Sequence, residues 1–116
     1  MTNQTITVIP GDGIGPSIIE ATIKVLDKAG CNFNYEYADA GLTALENHGD
    51  LVPQDTLDLI EKNKVALKGP LTTPVGEGFT SINVTLRKQF GLYANVRPVK
   101  SFVGTKARYD DIDIIT

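Results

Sequence analysis

A short apolar strand that enters a glycine-rich turn and then a helix is the feature that most limits the fold of this chain. Residues 5–9, TITVI, are mostly β-branched and apolar, which predicts a buried strand. The turn PGDGIGP follows, and residues 17–29 carry apolar side chains at helical spacing. Ser17 and Glu20 have the spacing of a capping box, and Gly30 predicts the helix end. The chain therefore begins with a β-α unit.

The glycines of this turn do not match the dinucleotide fingerprint. They follow the pattern G-x-G-x-G and precede a proline, whereas a Rossmann fold uses G-x-G-x-x-G and an acidic residue about 20 residues later. A tight strand-to-helix turn, in which glycine permits a positive φ and a close backbone approach, is the simpler interpretation.

The next elements continue the alternation of strands and helices. Residues 32–40 alternate aromatic and polar side chains, as a half-buried strand does. Residues 41–50 predict a short helix and a polar turn, residues 53–62 a helix, and residues 65–67 a buried strand. The order β-α-β-α-α-β predicts an α/β layered domain with crossover connections.

Composition limits the class of protein. Of the 116 residues, 41% are hydrophobic and 7% aromatic, which is typical of a globular domain. The chain has no run of about 18 or more apolar residues, so we expect no membrane span. Its first residues do not resemble a signal peptide, and Cys31 is the single cysteine; we expect a buried structural thiol and a cytoplasmic location. His48, the single histidine, is expected to face solvent in a loop.

Charge is distributed unevenly along the chain. Residues 1–61 hold ten acidic and two basic residues, whereas residues 62–108 hold nine basic residues and one acidic residue, within a net charge of −3. A basic segment in an acidic protein favours a local anion site. Nucleic acid is disfavoured as a partner, because tryptophan is absent and the other aromatic residues are scattered.

The basic segment includes LKGPLTTPVGEGFTSINVTLRKQFGLYANVRPVK, residues 67–100. Its loop follows the strand at residues 65–67, and ligands of open α/β sheets bind beyond the carboxyl ends of strands. The hydroxyl groups of Thr72 and Thr73 suit an amide or a phosphate, but they equally suit the satisfaction of turn backbone. Both interpretations stay open at this point.

A helix is predicted at residues 79–89, with Ile82, Leu86 and Phe90 toward the core. Asn83 and Arg87 share a polar face of this helix, and Ser81 stands at its start, where free N–H groups favour an anion. The alternative is an N-cap serine beside a solvated Asn/Arg pair.

Two further strands are predicted in the last quarter of the chain. Residues 93–99 carry Arg97, whose guanidinium group suits a bidentate carboxylate clamp together with Arg87. Pro98 places this strand at an edge, a strand end or a bulge. Residues 113–116 begin another strand.

Three motifs together resemble a known family. GDGIGP, the block from residue 68 to 98 and GTKARYDDIDIIT resemble the β-decarboxylating dehydrogenases, and among them the isocitrate dehydrogenases. The resemblance implies an α/β layered sheet with helices on both faces that is not a Rossmann fold and is incomplete in this chain. It implies that residues 1–92 form the N-terminal part of the large α/β domain and residues 93–116 the start of the second, small domain.

The resemblance also implies an activity and a site. Isocitrate would be oxidised and decarboxylated to 2-oxoglutarate with NAD or NADP and with Mg²⁺ or Mn²⁺. Ser81 and Asn83 would bind the distal carboxylate, Arg87 and Arg97 the carboxylates nearer the reacting carbon, and Thr72 the nicotinamide end of the cofactor. Lys68 would lie close by, GDGIGP near the cofactor site, and in some members the serine matching Ser81 is phosphorylated as an off-switch.

The resemblance also defines what we do not expect within residues 1–116. The third substrate arginine, the catalytic tyrosine and lysine, and the metal-binding aspartates of the family would follow Thr116, so we expect no catalytic residue, no metal ligand and no activity in this chain alone. A homodimer is expected for the full-length protein. Alternatives are a sister dehydrogenase for 3-isopropylmalate, homoisocitrate or tartrate, which Ser81 and Asn83 argue against, and a non-catalytic regulatory subunit.

Overall fold

The structure of the chain is a computed structural model that describes residues 3–76 and 78–116. The chain divides into two compact units, Met1–Thr85 and Leu86–Thr116, and each is described by itself. The domain boundary between residues 92 and 93 stays a prediction.

The first unit contains a β-α-β-α-α-β series, and this confirms the order expected from the sequence. Its elements are β1 Thr5–Ile9, α1 Gly15–Lys28, β2 Asn34–Tyr37, α2 Leu42–His48, α3 Gln54–Asn63 and β3 Ala66–Lys68. Helix α4, Ile82–Gln89, contains the boundary between the units. The second unit pairs β4, Pro98–Lys100, with β5, Asp113–Ile115, in antiparallel register.

A three-stranded parallel sheet in the order β2-β1-β3 organises the first unit. The chain moves to one side of β1 to form β2 and then crosses to the other side to form β3. Crossovers of the same hand therefore place the helices of the two connections on opposite faces of the sheet.

The side chains of β1 are buried on both faces of the sheet. Ile6 and Val8 form the core with Ile19 of α1, and Ile23, Phe33, Tyr35 and Leu67 pack against them. The intervening residue, Thr7, is fully buried against α3 on the other face. Because successive side chains of a strand alternate between faces, the sheet is covered on both sides. The expected α/β sheet with helices on both faces is confirmed.

Thr7 joins β1 to α3 by hydrogen bonds. Its hydroxyl donates to the Leu59 carbonyl at 3.1 Å and accepts from Asn63 Nδ2 at 3.0 Å. Asn63 Nδ2 also donates to Glu36 Oε2 on β2 at 2.9 Å. The hydrogen bond from Asn63 and the Lys62 ammonium hold the pKa of Glu36 below its usual value. The buried side chains of Thr7 and Asn63 are therefore hydrogen-bonded, and these bonds fix the C-terminal end of α3 over the sheet.

Several predicted element ends were wrong. Helix α1 begins at Gly15 after the N-cap residue Ile14, and Ser17 Oγ donates to the Ile14 carbonyl at 2.9 Å, so no capping box forms. Pro16 lies in the first turn, where its missing N–H group costs no hydrogen bond. Strand β2 covers only residues 34–37, whereas the prediction was 32–40. Its pairing with β1 runs from Asn34 to Tyr37.

The predicted strand over residues 93–99 was also wrong in extent. Strand β4 begins at Pro98, a position the sequence allowed as a strand end, and it continues to Lys100. Residues 93–96 are exposed and have no partner strand among the described residues. Their backbone therefore lacks the inter-strand hydrogen bonds that a β-strand requires.

Cys31 and His48 differ in part from expectation. Cys31 is a free thiol and is half-buried rather than buried. The His48 side chain is exposed, as expected, but it ends α2 rather than lying in a loop, and its Nε2 lies 3.1 Å from Asp39 Oδ2. Within residues 3–76 and 78–116, no helix combines the length and apolarity that crossing a membrane requires.

Lys64 provides a test of this fold. It ends α3 in the left-handed conformation, with φ +65°, and its N–H group donates to the Ile60 carbonyl at 2.8 Å. We expect Lys64→Gly to raise the free energy of unfolding by about 0.5–1 kcal/mol, because glycine adopts this φ without steric cost. Glu61→Gly, inside the same helix, should lower it by about 1 kcal/mol. Urea unfolding followed by circular dichroism measures both, and a loss of stability in Lys64→Gly would contradict this geometry.

Candidate functional site

Asp12 lies at the carboxyl end of β1, in the glycine-rich turn, and the residue is 8% exposed. Its Oδ2 accepts hydrogen bonds from the backbone N–H groups of Leu42 at 3.0 Å and Thr72 at 2.8 Å. Its Oδ1 accepts from the N–H group and the hydroxyl of Thr43, both at 3.0 Å. One side chain therefore holds together the turn after β1, the start of α2 and the loop after β3.

These donors keep Asp12 ionised. Burial by itself raises the pKa of the carboxyl group, but the hydrogen bonds from Thr72, Thr43 and Leu42 outweigh it and leave the pKa of Asp12 below its ordinary value of 3.8. Hydrogen bonds to the charged form are the usual cause of a lowered carboxyl pKa. The donors of Leu42 and Thr43 are the first N–H groups of α2, the end of a helix that favours a negative charge.

Two glycines permit this close packing. Gly11 has φ +81°, and a Cβ atom there would overlap the Pro70 carbonyl, which accepts a hydrogen bond from Asp12 N at 2.8 Å. Gly41 also has φ +81°, and a Cβ atom there would overlap the Asp12 carboxylate. The turn interpretation of GDGIGP is therefore confirmed, and its Gly11 permits the close approach of the loop after β3.

The two threonines of the loop after β3 have different surroundings. Thr72 donates its N–H group to Asp12, while its residue is exposed and its hydroxyl makes no hydrogen bond in the described part of the chain. Thr73 Oγ1 accepts the N–H group of Ile82, the first residue of α4, at 3.4 Å. Thr73 thus satisfies backbone, one of the two roles left open, and Thr72 keeps a hydroxyl that faces solvent.

Ser81 and Asn83 lie at the start of α4, which begins at residue 82 rather than at the predicted residue 79. Both are exposed, whereas Ile82 between them is 2% exposed and anchors the helix. The Ser81 carbonyl accepts the Thr85 N–H group at 3.0 Å, but within residues 3–76 and 78–116 its hydroxyl caps nothing. Because this hydroxyl accepts no N–H group of the helix in the described part of the chain, the interpretation of Ser81 as an N-cap serine loses its support.

Arg87 and Arg97 belong to the second unit and are both exposed. Arg87 is on α4, and Arg97 immediately precedes β4, where its backbone exchanges hydrogen bonds with Thr116 at 2.8 and 3.1 Å. Neither guanidinium group forms an ion pair with a described residue. Their convergence with each other and with Ser81 and Asn83 stays a prediction.

Sequence reasoning missed the role of Asp12. The acid was visible between two glycines, but its partners lie 30, 31 and 60 residues away along the chain. Nothing in the local pattern identifies such partners. Thr73 was predicted either to bind a ligand or to satisfy turn backbone. Its separation from Ile82 is only nine residues, which is a signal that could have favoured its bond to the start of α4.

The described residues differ in how well they suit a metal ion and a dinucleotide cofactor. Among residues 3–76 and 78–116, no group of three or more His, Cys, Asp or Glu side chains could hold a metal ion. The described residues therefore do not fit a Mg²⁺ or Mn²⁺ site. Thr72 fits a cofactor contact better, since its hydroxyl is exposed on a backbone that Asp12 fixes. Lys68, which precedes this loop, donates from Nζ to the Gly69 carbonyl at 2.8 Å.

A family model described as isocitrate/isopropylmalate dehydrogenase matches residues 5–116. The chain belongs to this family. Isocitrate dehydrogenase [NADP] of Thermus thermophilus is 53% identical over 107 residues, which are 91% of this chain and 22% of that protein. Isocitrate dehydrogenase [NAD] catalytic subunit 5, mitochondrial, of Arabidopsis thaliana is 46% identical over 112 residues, which are 97% of this chain and 30% of that protein.

A solved structure of a family member has the same fold. The crystal structure of isocitrate dehydrogenase from Methylococcus capsulatus matches with a TM-score of 0.92 and 49% identity, over 97% of this chain and 33% of that one. The chain therefore spans a third or less of each of these three relatives.

The lowered pKa of Asp12 gives a pH-dependent prediction. A carboxyl group whose pKa is lowered by folding stabilises the protein above its unfolded value, and the contribution is lost as the pH falls through the folded value. We expect Asp12→Asn to lower the free energy of unfolding by about 2–4 kcal/mol at pH 7, because an amide leaves donors facing donors. The difference from the wild type should shrink as the pH falls below 3.8.

Asp58→Asn is the matched control, since Asp58 is an exposed acid that accepts a hydrogen bond from Gln54. Its effect at pH 7 should stay within about 0.5 kcal/mol. Urea unfolding between pH 3 and pH 7 measures both variants. Equal effects of the two substitutions at pH 7 would contradict the buried role of Asp12.

Proposed function

We propose that this chain acts within an NAD(P)-dependent isocitrate dehydrogenase, which oxidises and decarboxylates isocitrate to 2-oxoglutarate. Membership of the family supports this proposal, and so do the names of relatives at 46–53% identity, which include NAD and NADP enzymes. The observation that carries it is the series of exposed hydroxyl, amide and guanidinium groups that Ser81, Asn83 and Arg87 present at and along α4, without acidic partners among the described residues.

Ser81 and Asn83 bind the distal carboxylate of isocitrate in this proposal. Both are exposed at the start of α4, and the Ser81 hydroxyl is not used for capping in the described part of the chain. A carboxylate there would accept hydrogen bonds from both side chains and would lie at the positive end of the helix dipole. A purely apolar substituent would gain neither interaction, which favours isocitrate over 3-isopropylmalate.

Arg87 and Arg97 bind the carboxylates nearer the reacting carbon. Arginine presents a rigid fork of donors that matches a carboxylate in bidentate geometry, and such charge-assisted bonds orient as well as attract. Thr72 contributes its hydroxyl to the nicotinamide end of the cofactor.

The remaining chemistry belongs to groups that residues 1–116 do not supply in this proposal. When bound, NAD or NADP would supply the hydride acceptor, with Thr72 as the residue of this chain that would contact it, and Mg²⁺ or Mn²⁺ would supply a Lewis acid. We further propose a homodimeric full-length enzyme and a cytoplasmic location.

Arg97 provides the direct test of the substrate site. In the full-length enzyme, Arg97→Ala should lower kcat/KM for isocitrate about a hundredfold or more, because a substrate carboxylate loses its charged partner. Arg108→Ala is the matched control, since Arg108 is an exposed arginine of the same unit that lies over the Tyr109 ring. The control should change kcat/KM less than about twofold. Initial rates of NAD(P)H formation measure both, and equal kcat/KM in Arg97→Ala and wild type would remove Arg97 from the site.

The chain by itself provides a second test. Purified 1–116, supplied with isocitrate, Mg²⁺ and either dinucleotide, should form no NAD(P)H, because the proton-transfer and metal-binding groups that the proposal requires are not among its residues. Absorbance at the wavelength of the reduced nicotinamide measures this. Steady turnover that scales with the concentration of the chain would show that catalytic groups lie within it.

A further inference from the structure

Asp12 accepts a hydrogen bond from the backbone of Thr72, the residue whose hydroxyl the proposed function assigns to the cofactor. Asp12 is buried and its carboxylate is saturated by four donors, so it offers nothing to a substrate itself. The shortest of these four bonds, at 2.8 Å, runs to the backbone N–H group of Thr72. The hydroxyl of the same residue is the group that the proposed function places against the cofactor.

The backbone that leads into Thr72 is tied to Asp12 at two points. Asp12 Oδ2 accepts the Thr72 N–H group, and the Pro70 carbonyl, two residues earlier, accepts the N–H group of Asp12 at 2.8 Å. These reciprocal bonds hold both peptide units between Pro70 and Thr72 against the turn after β1. The next residue, Thr73, is tied in turn to the first N–H group of α4.

We infer that Asp12 is a positioning residue that sets the direction of the Thr72 hydroxyl toward the nicotinamide cofactor. The inference rests on the proposed function for the identity of the ligand. A carboxylate suits this task because both of its oxygen atoms only accept hydrogen bonds. It can therefore bind donors from the start of α2 and from the loop after β3 at the same time. In asparagine the amide nitrogen would face an N–H group of Thr43, or of Leu42 and Thr72, so the loop would have to turn away.

Steady-state kinetics of the full-length enzyme test this role. We expect Asp12→Asn to raise KM for the dinucleotide about tenfold, as one lost or misdirected hydrogen bond does, while KM for isocitrate changes much less. Thr43→Ala is the matched control: it removes the hydroxyl donor to the same carboxylate but leaves every backbone donor in place. Its KM for the dinucleotide should stay within about twofold of wild type. An unchanged dinucleotide KM in folded Asp12→Asn would overturn the inference.

A double-mutant cycle separates positioning from simple stabilisation. Thr72→Ala removes the hydroxyl but keeps the N–H group that Asp12 accepts. If Asp12 acts through that hydroxyl, Asp12→Asn should raise KM no more than about twofold further in the Thr72→Ala background. A full, additive effect in that background would overturn the inference.

Amide hydrogen exchange in the wild-type protein tests the contact without any variant and without activity. The Thr72 amide should exchange about a hundredfold or more slowly than that of Leu71, whose N–H group has no acceptor in the described part of the chain. Equal exchange of the two amides would overturn the inference even where Asp12→Asn fails to fold. Wild-type enzyme that reduces no dinucleotide with isocitrate would instead refute the proposed function, and the exchange result would still decide the contact.

Discussion

A buried negative charge is the constraint on which the candidate site depends. An isolated carboxylate loses its hydration when it is buried, and it remains ionised in a folded protein only where donors replace that water. Asp12 receives three backbone N–H groups and one hydroxyl, from α2 and from the loop after β3. These segments cannot move apart without leaving the charge unpaired, so the carboxylate ties them together at one end of the sheet.

The topology of the sheet makes this arrangement possible. Because β3 lies next to β1 in parallel register, the turn that leaves β1 and the loop that leaves β3 meet at the same edge. The connection through α2 and α3 covers one face of the sheet and brings the start of α2 to that edge. The polar contacts of Thr7 fix α3 against the opposite side of β1 from the apolar core. Fold and site therefore share the same few strands.

The order of elements and the residues that carry chemistry could be predicted from the sequence, because they depend on local patterns. Alternating and helical periodicity identified β1 through α3, and the exposed positions of Thr72, Ser81 and Asn83 agree with their expected availability. The partners of Asp12 could not be predicted, since they lie 30 or more residues away and depend on tertiary structure. The start of α4 was misplaced because the Thr73 hydroxyl, nine residues upstream, accepts the first N–H group of the helix.

The titration of Asp12 is the most direct test of this account. Carbon-detected NMR of the Asp12 carboxyl group as a function of pH, in the wild-type chain, should give a pKa below 3.8. The amide signals of Leu42, Thr43 and Thr72 should shift over the same pH range, because they donate to that carboxylate. A pKa at or above 3.8, with amide signals that do not follow the carboxyl group, would contradict the arrangement on which the site is built.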